Sequence, residues 1–493
     1  MYTLERATNY IRTNSNQVKD DYRHHYHIMA PIGWINDPNG FIYYRGEYHL
    51  FYQYYPYKAE WGPMHWGHAK SKDLINWETA PVALAPDQTY DKDGCFSGTA
   101  IEKDGEMYLM YTGHIMGEKD EDIRQVQCIA VSSDGINFEK VQQNPVIAEN
   151  NLPKNANPQD FRDPKVIKKG EFYYSLIASK AEYGGGQILL YKSRDLLDWV
   201  FVSVMLKGEE GEGIMWECPD LFSLDGKDVL IISVEGLPKQ GIKFPNTHSV
   251  ISIIGKMDWE EGTFHKEKTE ELDYGLDFYA PQTITDNKHR RIMISWMQMW
   301  GRNIPTETEN HGWAGAMTLP RELSIKNNHI YQSPIAEIKN YYKNKQSINN
   351  IRLKDDSKEF IELSGEVYAL ELNLNTKMGK RFELEVRSNE EERTLIAYDC
   401  DSDLLELNRK SSGVEIVGKE DEHVHKRAVY CDSERGKLNL EIFIDKASIE
   451  VFINKGKFTM TSTIYPKKKA DKLKIAAEGD IEIVSLDKWD IEV

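Results

Sequence analysis

Ser71-Lys72-Asp73-Leu74-Ile75-Asn76-Trp77 is echoed by Ser132-Ser133-Asp134-Gly135-Ile136-Asn137-Phe138 and again by Ser193-Arg194-Asp195-Leu196-Leu197-Asp198-Trp199, and a degenerate copy closes in Met257-Asp258-Trp259. The closing aromatics stand at 77, 138, 199 and 259, steps of 61, 61 and 60 residues. Self-similarity at a fixed period means stacked or radial repeats. Between the copies, apolar and polar residues alternate over short stretches closed by turn residues, as in Phe41-Ile42-Tyr43-Tyr44-Arg45-Gly46-Glu47-Tyr48-His49-Leu50, which reads strand–turn–strand. About 60 residues of short strands suit one four-stranded propeller blade, and the stretch from Trp34 to Leu323 has room for five. The Ser-x-Asp segments are themselves structural: Ser and Asp hydrogen-bond their own turn, and the aromatic fills the space between blades.

A second punctuation runs in phase, at the head of each unit: Asn36-Asp37-Pro38-Asn39-Gly40, Phe96-Ser97-Gly98-Thr99, Phe161-Arg162-Asp163-Pro164, Trp216-Glu217-Cys218-Pro219-Asp220 and Phe278-Tyr279-Ala280-Pro281-Gln282. Equivalent points of the blades surround one axis, so residues about 60 apart in sequence converge on one funnel. Three of these heads carry acids: Asp37, Asp163 and Glu217. Each alone reads equally well as a turn, a strand start or a cap. Together, among Trp34, Trp216, Phe161 and Phe96, they cannot all ionise freely, because each charge raises the pKa of its neighbours. One acid kept protonated beside an ionised carboxylate is the pairing that glycoside hydrolysis requires.

Beyond about residue 340 the pattern changes. Leu370, Leu372, Leu374; Phe382, Leu384, Val386; Leu438, Leu440, Ile442, Ile444; and Ile449, Val451, Ile453 alternate with polar residues, which implies two antiparallel sheets face to face. The expected fold is therefore all-β, a five-bladed β-propeller followed by a C-terminal β-sandwich. The expected boundaries are 1–30 for an N-terminal extension with a short helix at Leu4, Ala7 and Ile11, 31–335 for the propeller, 336–350 for a polar linker with some helix, and 351–493 for the sandwich. The sandwich shows no catalytic constellation; it reads as structural, with subunit contact, including self-association, as a second role.

The 493 residues carry 61 Lys and Arg against 79 Asp and Glu, a net charge of −18 without a basic block, which argues against nucleic acid or an anionic membrane as partner. The 27 Tyr, 16 Phe and 11 Trp suit strands and sugar-binding clefts. No apolar run approaches the ~18 residues of a membrane span. The N-terminal segment, with Glu5, Arg6, Arg12, Lys19 and Asp20, lacks the core of a signal peptide. Cys95, Cys128, Cys218, Cys400 and Cys431 are odd in number and scattered, which points to a reducing compartment and a cytoplasmic protein.

At the five blade heads, extended to Trp34-Ile35-Asn36-Asp37-Pro38-Asn39-Gly40 and Asp277-Phe278-Tyr279-Ala280-Pro281-Gln282, and at Ile442-Phe443-Ile444-Asp445-Lys446-Ala447-Ser448-Ile449-Glu450-Val451-Phe452, the chain resembles the glycoside hydrolase group of invertases, fructanases and sucrose-6-phosphate hydrolases. The resemblance covers essentially the whole chain and is strongest to the bacterial sucrose-6-phosphate hydrolases. It implies retaining cleavage at a terminal β-fructofuranosyl unit of sucrose 6-phosphate, sucrose or short fructo-oligosaccharides, without metal or other cofactor. It also implies Asp37 as nucleophile, Glu217 as general acid and then base, and Asp163 with Arg162 as stabiliser of the transition state. Asn36, Gln53, Trp61, Phe96, Ser97, Tyr279 and Trp300 complete the implied subsite, with Trp296 and Trp313 as rivals of Trp300. A retaining pair would set the carboxyls of Asp37 and Glu217 about 5–5.5 Å apart, an inverting pair ~6.5–9.5 Å.

Other constellations carry less. His24-His25-Tyr26-His27 and His65-Trp66-Gly67-His68 lack further ligands for a metal, there is no phosphate loop, and Cys218 reads as a packed thiol. Lys58, Lys239, Lys243 and Arg302 lie in blade loops where a phosphate could be met. Rival functions are an arabinan-degrading five-bladed enzyme, a fructosyltransferase, and a non-catalytic sugar-binding propeller, which would have eroded one of the three acids.

Overall fold

The computed structural model describes residues 2–181, 184–431, 433 and 436–493. Five antiparallel sheets follow one another from residue 33 to residue 334. Their innermost strands, labelled β1–β5, are Gly33–Tyr44, Gly94–Lys103, Ala156–Lys169, Met215–Leu224 and Tyr279–Thr285.

The Ser-x-Asp turns join the third and fourth strands of blades one to three in the same way. Ser71, Ser132 and Ser193 each accept from the backbone N–H two and three residues on, and Asp73, Asp134 and Asp195 likewise accept from the N–H groups two and three residues beyond themselves. The residue after each Asp holds a left-handed φ: Leu74 at 69°, Gly135 at 77° and Leu196 at 75°. Phe138 meets Phe51 of the preceding blade edge-on at 5.5 Å. The turns thus close locally while their aromatics seal neighbouring blades together.

Side chains lash the inner strands around the axis. Asn39 accepts from the Gly98 N–H, Gln282 donates to the Gly98 carbonyl at 2.7 Å, and Lys165 Nζ reaches both Asp220 (3.1 Å) and the Thr283 carbonyl (3.0 Å). The ring is fastened where Trp313–Ala314 lies parallel to Gly33–Trp34. Gly33 is obligatory there: its φ is 87° and a Cβ would come within 2.3 Å of the Tyr55 carbonyl.

The helix Leu4–Asn14 is capped by Thr3, whose hydroxyl accepts from the Arg6 N–H, and it buries Ala7 against the first blade. The stretch read as a linker does not stay one. Residues 336–341 form a 3₁₀ turn, and Tyr342–Glu359 is a strand that pairs with Lys472–Ile491. Most of its side chains are exposed, so it carries no apolar alternation and is held by backbone pairing; its composition conceals it. The apolar positions of the C-terminal region that alternate in sequence all enter one core, together with Phe360 and Tyr368, and form the β-sandwich.

Charge, as well as apolar surface, joins the two domains. Arg321, buried, binds Asp273 at 2.9 Å and Glu450 at 2.6 Å, and Arg427 binds Glu271 at 2.7 Å. Asp277 is shared by Arg302 and Arg409. His27 lies between Asp445 (2.8 Å) and Glu450 (2.9 Å) of the sandwich. His24, His27 and Asp445 are close enough to hold an ion. Both ring nitrogens of His27 already face carboxylate oxygens, however, which is an arrangement for a proton.

Candidate active site

Each inner strand breaks register with its neighbour at the same level, between Ile35 and Pro38, Phe96 and Gly98, Arg162 and Lys165, Glu217 and Asp220, and Tyr279 and Gln282, and the first and third strands break a second time, between Asn39 and Ile42 and between Ala156 and Phe161. A bulge adds unpaired residues and re-aims their side chains. Asp37, Ser97 and Asp163 lie within these breaks and Glu217 at the lip of its own. Asp163, Cys218 and Ala280 hold left-handed φ values of 59°, 48° and 53°, strain that tertiary contacts must hold in place.

The result is one cavity of about 490 Å³, lined among others by Asn36, Asp37, Gln53, Trp61, Phe96, Ser97, Arg162, Asp163, Glu217 and Trp300. Tyr279 reaches the site from behind, its hydroxyl donating to Glu217 Oε2 at 2.6 Å. Trp300 stands at the cavity, whereas Trp296 is buried behind it, 4.9 Å away between ring centres, and Trp313 packs under Arg23.

The acids are held differently. Asp37 accepts from the Ser97 hydroxyl at 2.7 Å and from the Asn36 amide at 3.1 Å, and the Trp34 indole fixes that amide by donating to its oxygen. Burial pushes the Asp37 carboxyl up, the Ser97 bond works against that, and the charge of Glu217 adds to it. Asp163 accepts from the Cys218 N–H at 3.1 Å, and its carboxyl is pushed up to about 7, first by burial and then by Glu217, against the pull of Arg162. Glu217 Oε1 accepts from Arg162 Nε at 2.9 Å. The Cys218 thiol fits between Asp37 and Asp163, 3.7 and 3.6 Å from their oxygens; burial and these carboxylates push it well up, which keeps it a thiol rather than a nucleophile.

Sequence reasoning missed a further layer. Arg162 also binds Asp160 (2.8 Å) and Glu235 (3.1 Å), and Gln125, Gln159, His114, His248 and Ile123 line the same cavity. Burial, then the charge of Glu217, pushes Glu235 up to about 7. Glu235 ends the second strand of the fourth blade, paired to Met215. Nothing in its local sequence, Ser233-Val234-Glu235-Gly236, marks it; only the blade-head spacing of Glu217 plus strand pairing could have found it.

None of the cations weighed for a phosphate is among the cavity's described lining residues. Lys58 pairs with Glu60 on the surface, Lys239 meets His423 of the sandwich, and Lys243 sits in an exposed turn. Arg302 is a correction: its side chain is 1% exposed, sealed between Asp277 and Glu420 at the domain interface. Asp277, within one of the blade-head motifs, serves that interface and not the cavity.

An aromatic-walled funnel with three blade-head carboxyls and one arginine defines a glycoside-processing propeller. Residues 27–334 match the glycosyl hydrolases family 32 N-terminal domain and 337–490 the family 32 C-terminal domain, so the chain belongs to glycosyl hydrolase family 32. It is 37% identical to a sucrose-6-phosphate hydrolase of Zymomonas mobilis (95% of this chain, 92% of that one) and 37% identical to a raffinose invertase of Escherichia coli (94% of each). Among solved structures, a Bombyx mori β-fructofuranosidase in complex with sucrose superposes with a TM-score of 0.85 at 34% identity, covering 99% of this chain and 98% of that one. A sucrose-6-phosphate hydrolase of Lactobacillus gasseri superposes with 0.88 at 29% identity over 99% of both.

Proposed function

We propose that the protein is a retaining β-fructofuranosidase that hydrolyses sucrose or sucrose 6-phosphate and releases fructose. The observation that carries the reading is the unequal treatment of carboxyls in one cavity. Asp37 is steadied by two neutral donors, whereas Asp163 and Glu235, which share the surroundings of Arg162 with Glu217, are pushed up to about 7 by burial and by the charge of Glu217.

In the first step an Asp37 oxygen attacks the anomeric carbon of the fructosyl unit. The bond to the leaving oxygen breaks as Glu217 gives that oxygen its proton. In the second, Glu217 takes a proton from water, the water oxygen attacks the same carbon, and the bond to Asp37 breaks. Arg162, bonded to Glu217 Oε1, and Tyr279, bonded to Oε2, aim the carboxyl that changes role. Asp163 faces the sugar-ring hydroxyls, where bonds tighten as oxocarbenium character develops. Phe96, stacked on His114 at 4.1 Å, and Trp300 supply apolar walls, and the half-exposed Trp61 marks the mouth.

Fructose release from sucrose, followed by proton NMR before mutarotation, tests this: β-fructofuranose as the first product supports a double displacement, the α-anomer refutes it. The buried thiols Cys95, Cys128 and Cys218 favour a cytoplasmic setting, which cell fractionation checks.

A further inference from the structure

Asp37 and Asp163 sit deep in the cavity, whereas the side chains of Asp160 and Glu235 are 27% and 26% exposed and stand farther out, beyond Glu217 at 17%. That outer wall faces the part of a substrate that leaves, because Glu217 must reach the leaving oxygen. Its acids outnumber its bases. The described lining contains Asp160, Glu217 and Glu235 on this side, and Arg162 is its only lysine or arginine. Arg162 is fully engaged: Nε on Glu217, Nη1 on Asp160 and Gln125, Nη2 on Glu235. The two lining imidazoles supply no compensating charge. Burial pushes His114 down to about 4 and lowers His248 as well, so both are neutral when the enzyme works. Lys180, outside the lining, is a further cation whose charge reaches Glu235.

We propose that the Asp160–Arg162–Glu235 wall is a specificity device that accepts a neutral leaving sugar and rejects a phosphorylated one, with Glu235 as the determining residue. This deepens the fructofuranosidase reading and rests on it. A phosphate carries ≈ −1.5 to −2 charges at neutral pH. Entering here it would meet carboxylates, and the one lysine or arginine of the described lining, Arg162, is already paired by them, at separations where like charges in a partly desolvated site cost several-fold to many-fold in binding. A neutral disaccharide pays none of this, since its hydroxyls can donate to the same carboxylates.

Three substrates test the proposal: sucrose, sucrose 6-phosphate, and raffinose, which bears a neutral galactosyl group on the glucose oxygen that carries the phosphate. Raffinose thereby controls for bulk. At about pH 8, above the value of about 7 to which Glu235 is raised, and at low salt, the expected kcat/KM for raffinose exceeds that for sucrose 6-phosphate by at least about tenfold. Glu235→Gln and Asp160→Asn should each raise the sucrose 6-phosphate to raffinose ratio at least about threefold, and added salt should raise it in the wild type. A wild type that prefers sucrose 6-phosphate, or a ratio unmoved by both substitutions, overturns the proposal. Failure to release fructose from all three sugars would instead overturn the fructofuranosidase reading, and this inference with it.

Discussion

His27 should make the docking of the sandwich depend on pH. Its imidazole has no exposed side-chain surface and lies between Asp445 and Glu450. Burial disfavours its charge, but the two hydrogen-bonded carboxylates outweigh that and push its pKa from 6.5 up to about 9. A pKa raised on folding stabilises in full below the unfolded value and loses that stabilisation as pH rises through the folded one. The window therefore runs from about 6.5 to about 9, and the displacement is worth about 3 kcal/mol. His27→Gln removes the charge and keeps a donor of similar reach. Glu450 would retain Arg321 and the Leu319 N–H, but Asp445 would be left with the backbone N–H groups of His25, Tyr26 and Lys446 beside His24, whose pKa burial lowers. At about 2–4 °C per kcal/mol for a domain of this size, the apparent Tm at neutral pH should fall by roughly 6–12 °C. Thermal scans of both proteins from pH 6 to pH 10, followed by far-ultraviolet circular dichroism, measure the gap. It should narrow as pH rises through about 9, because the wild-type imidazole then loses its proton as well. A gap of constant size across that range would show that His27 is held as a neutral packed ring, and the reasoning would fail.

Glu217→Gln should lower kcat/KM on sucrose by about 10²–10⁴, with much less effect on kcat/KM for an activated β-fructofuranoside whose leaving group needs no proton; equal losses on both would remove Glu217 from the acid role. Ser97→Ala deletes the 2.7 Å bond that works against the raised pKa of Asp37, so the acid limb of kcat/KM against pH should move upward, and an unmoved limb argues against Asp37 as the ionised nucleophile. Arg302→Ala leaves Asp277 with Arg409 as its one guanidinium, beside the Thr463 N–H and hydroxyl, and Glu420 without its guanidinium; a stability loss of about 3–5 kcal/mol is expected, read as faster hydrogen exchange at 271–277 and 420–427, and a surface-like loss near zero would contradict its interface role.

Much of the molecule is legible without coordinates because its determinants are local. Each Ser-x-Asp turn closes on its own side chains, so its spacing of about 60 residues survives in the sequence as a ruler, and counting along it places Asp37, Asp163 and Glu217 at one level. The strands of the sandwich core show themselves because one face is buried and the side-chain period is two. Tyr342–Glu359 does not, because an exposed strand leaves no apolar trace and its first residues read as a polar linker. Arg302 misled for a related reason: a loop arginine reads as solvent-facing until a second domain closes over it.

By itself, then, the sequence determined the repeat, the number of blades, the second domain and the three blade-head acids, since all of these follow from residue type and spacing along the chain. The tertiary structure alone decided which side chains share one arginine, because Asp160, Glu217 and Glu235 come from different strands and meet only where the bulged inner strands turn their side chains inward. It likewise decided which charges face the substrate and which are spent between domains. A carboxylate's role is set by what lies within about 4 Å of it, and that distance is fixed by ring closure and domain docking, which no stretch of sequence contains.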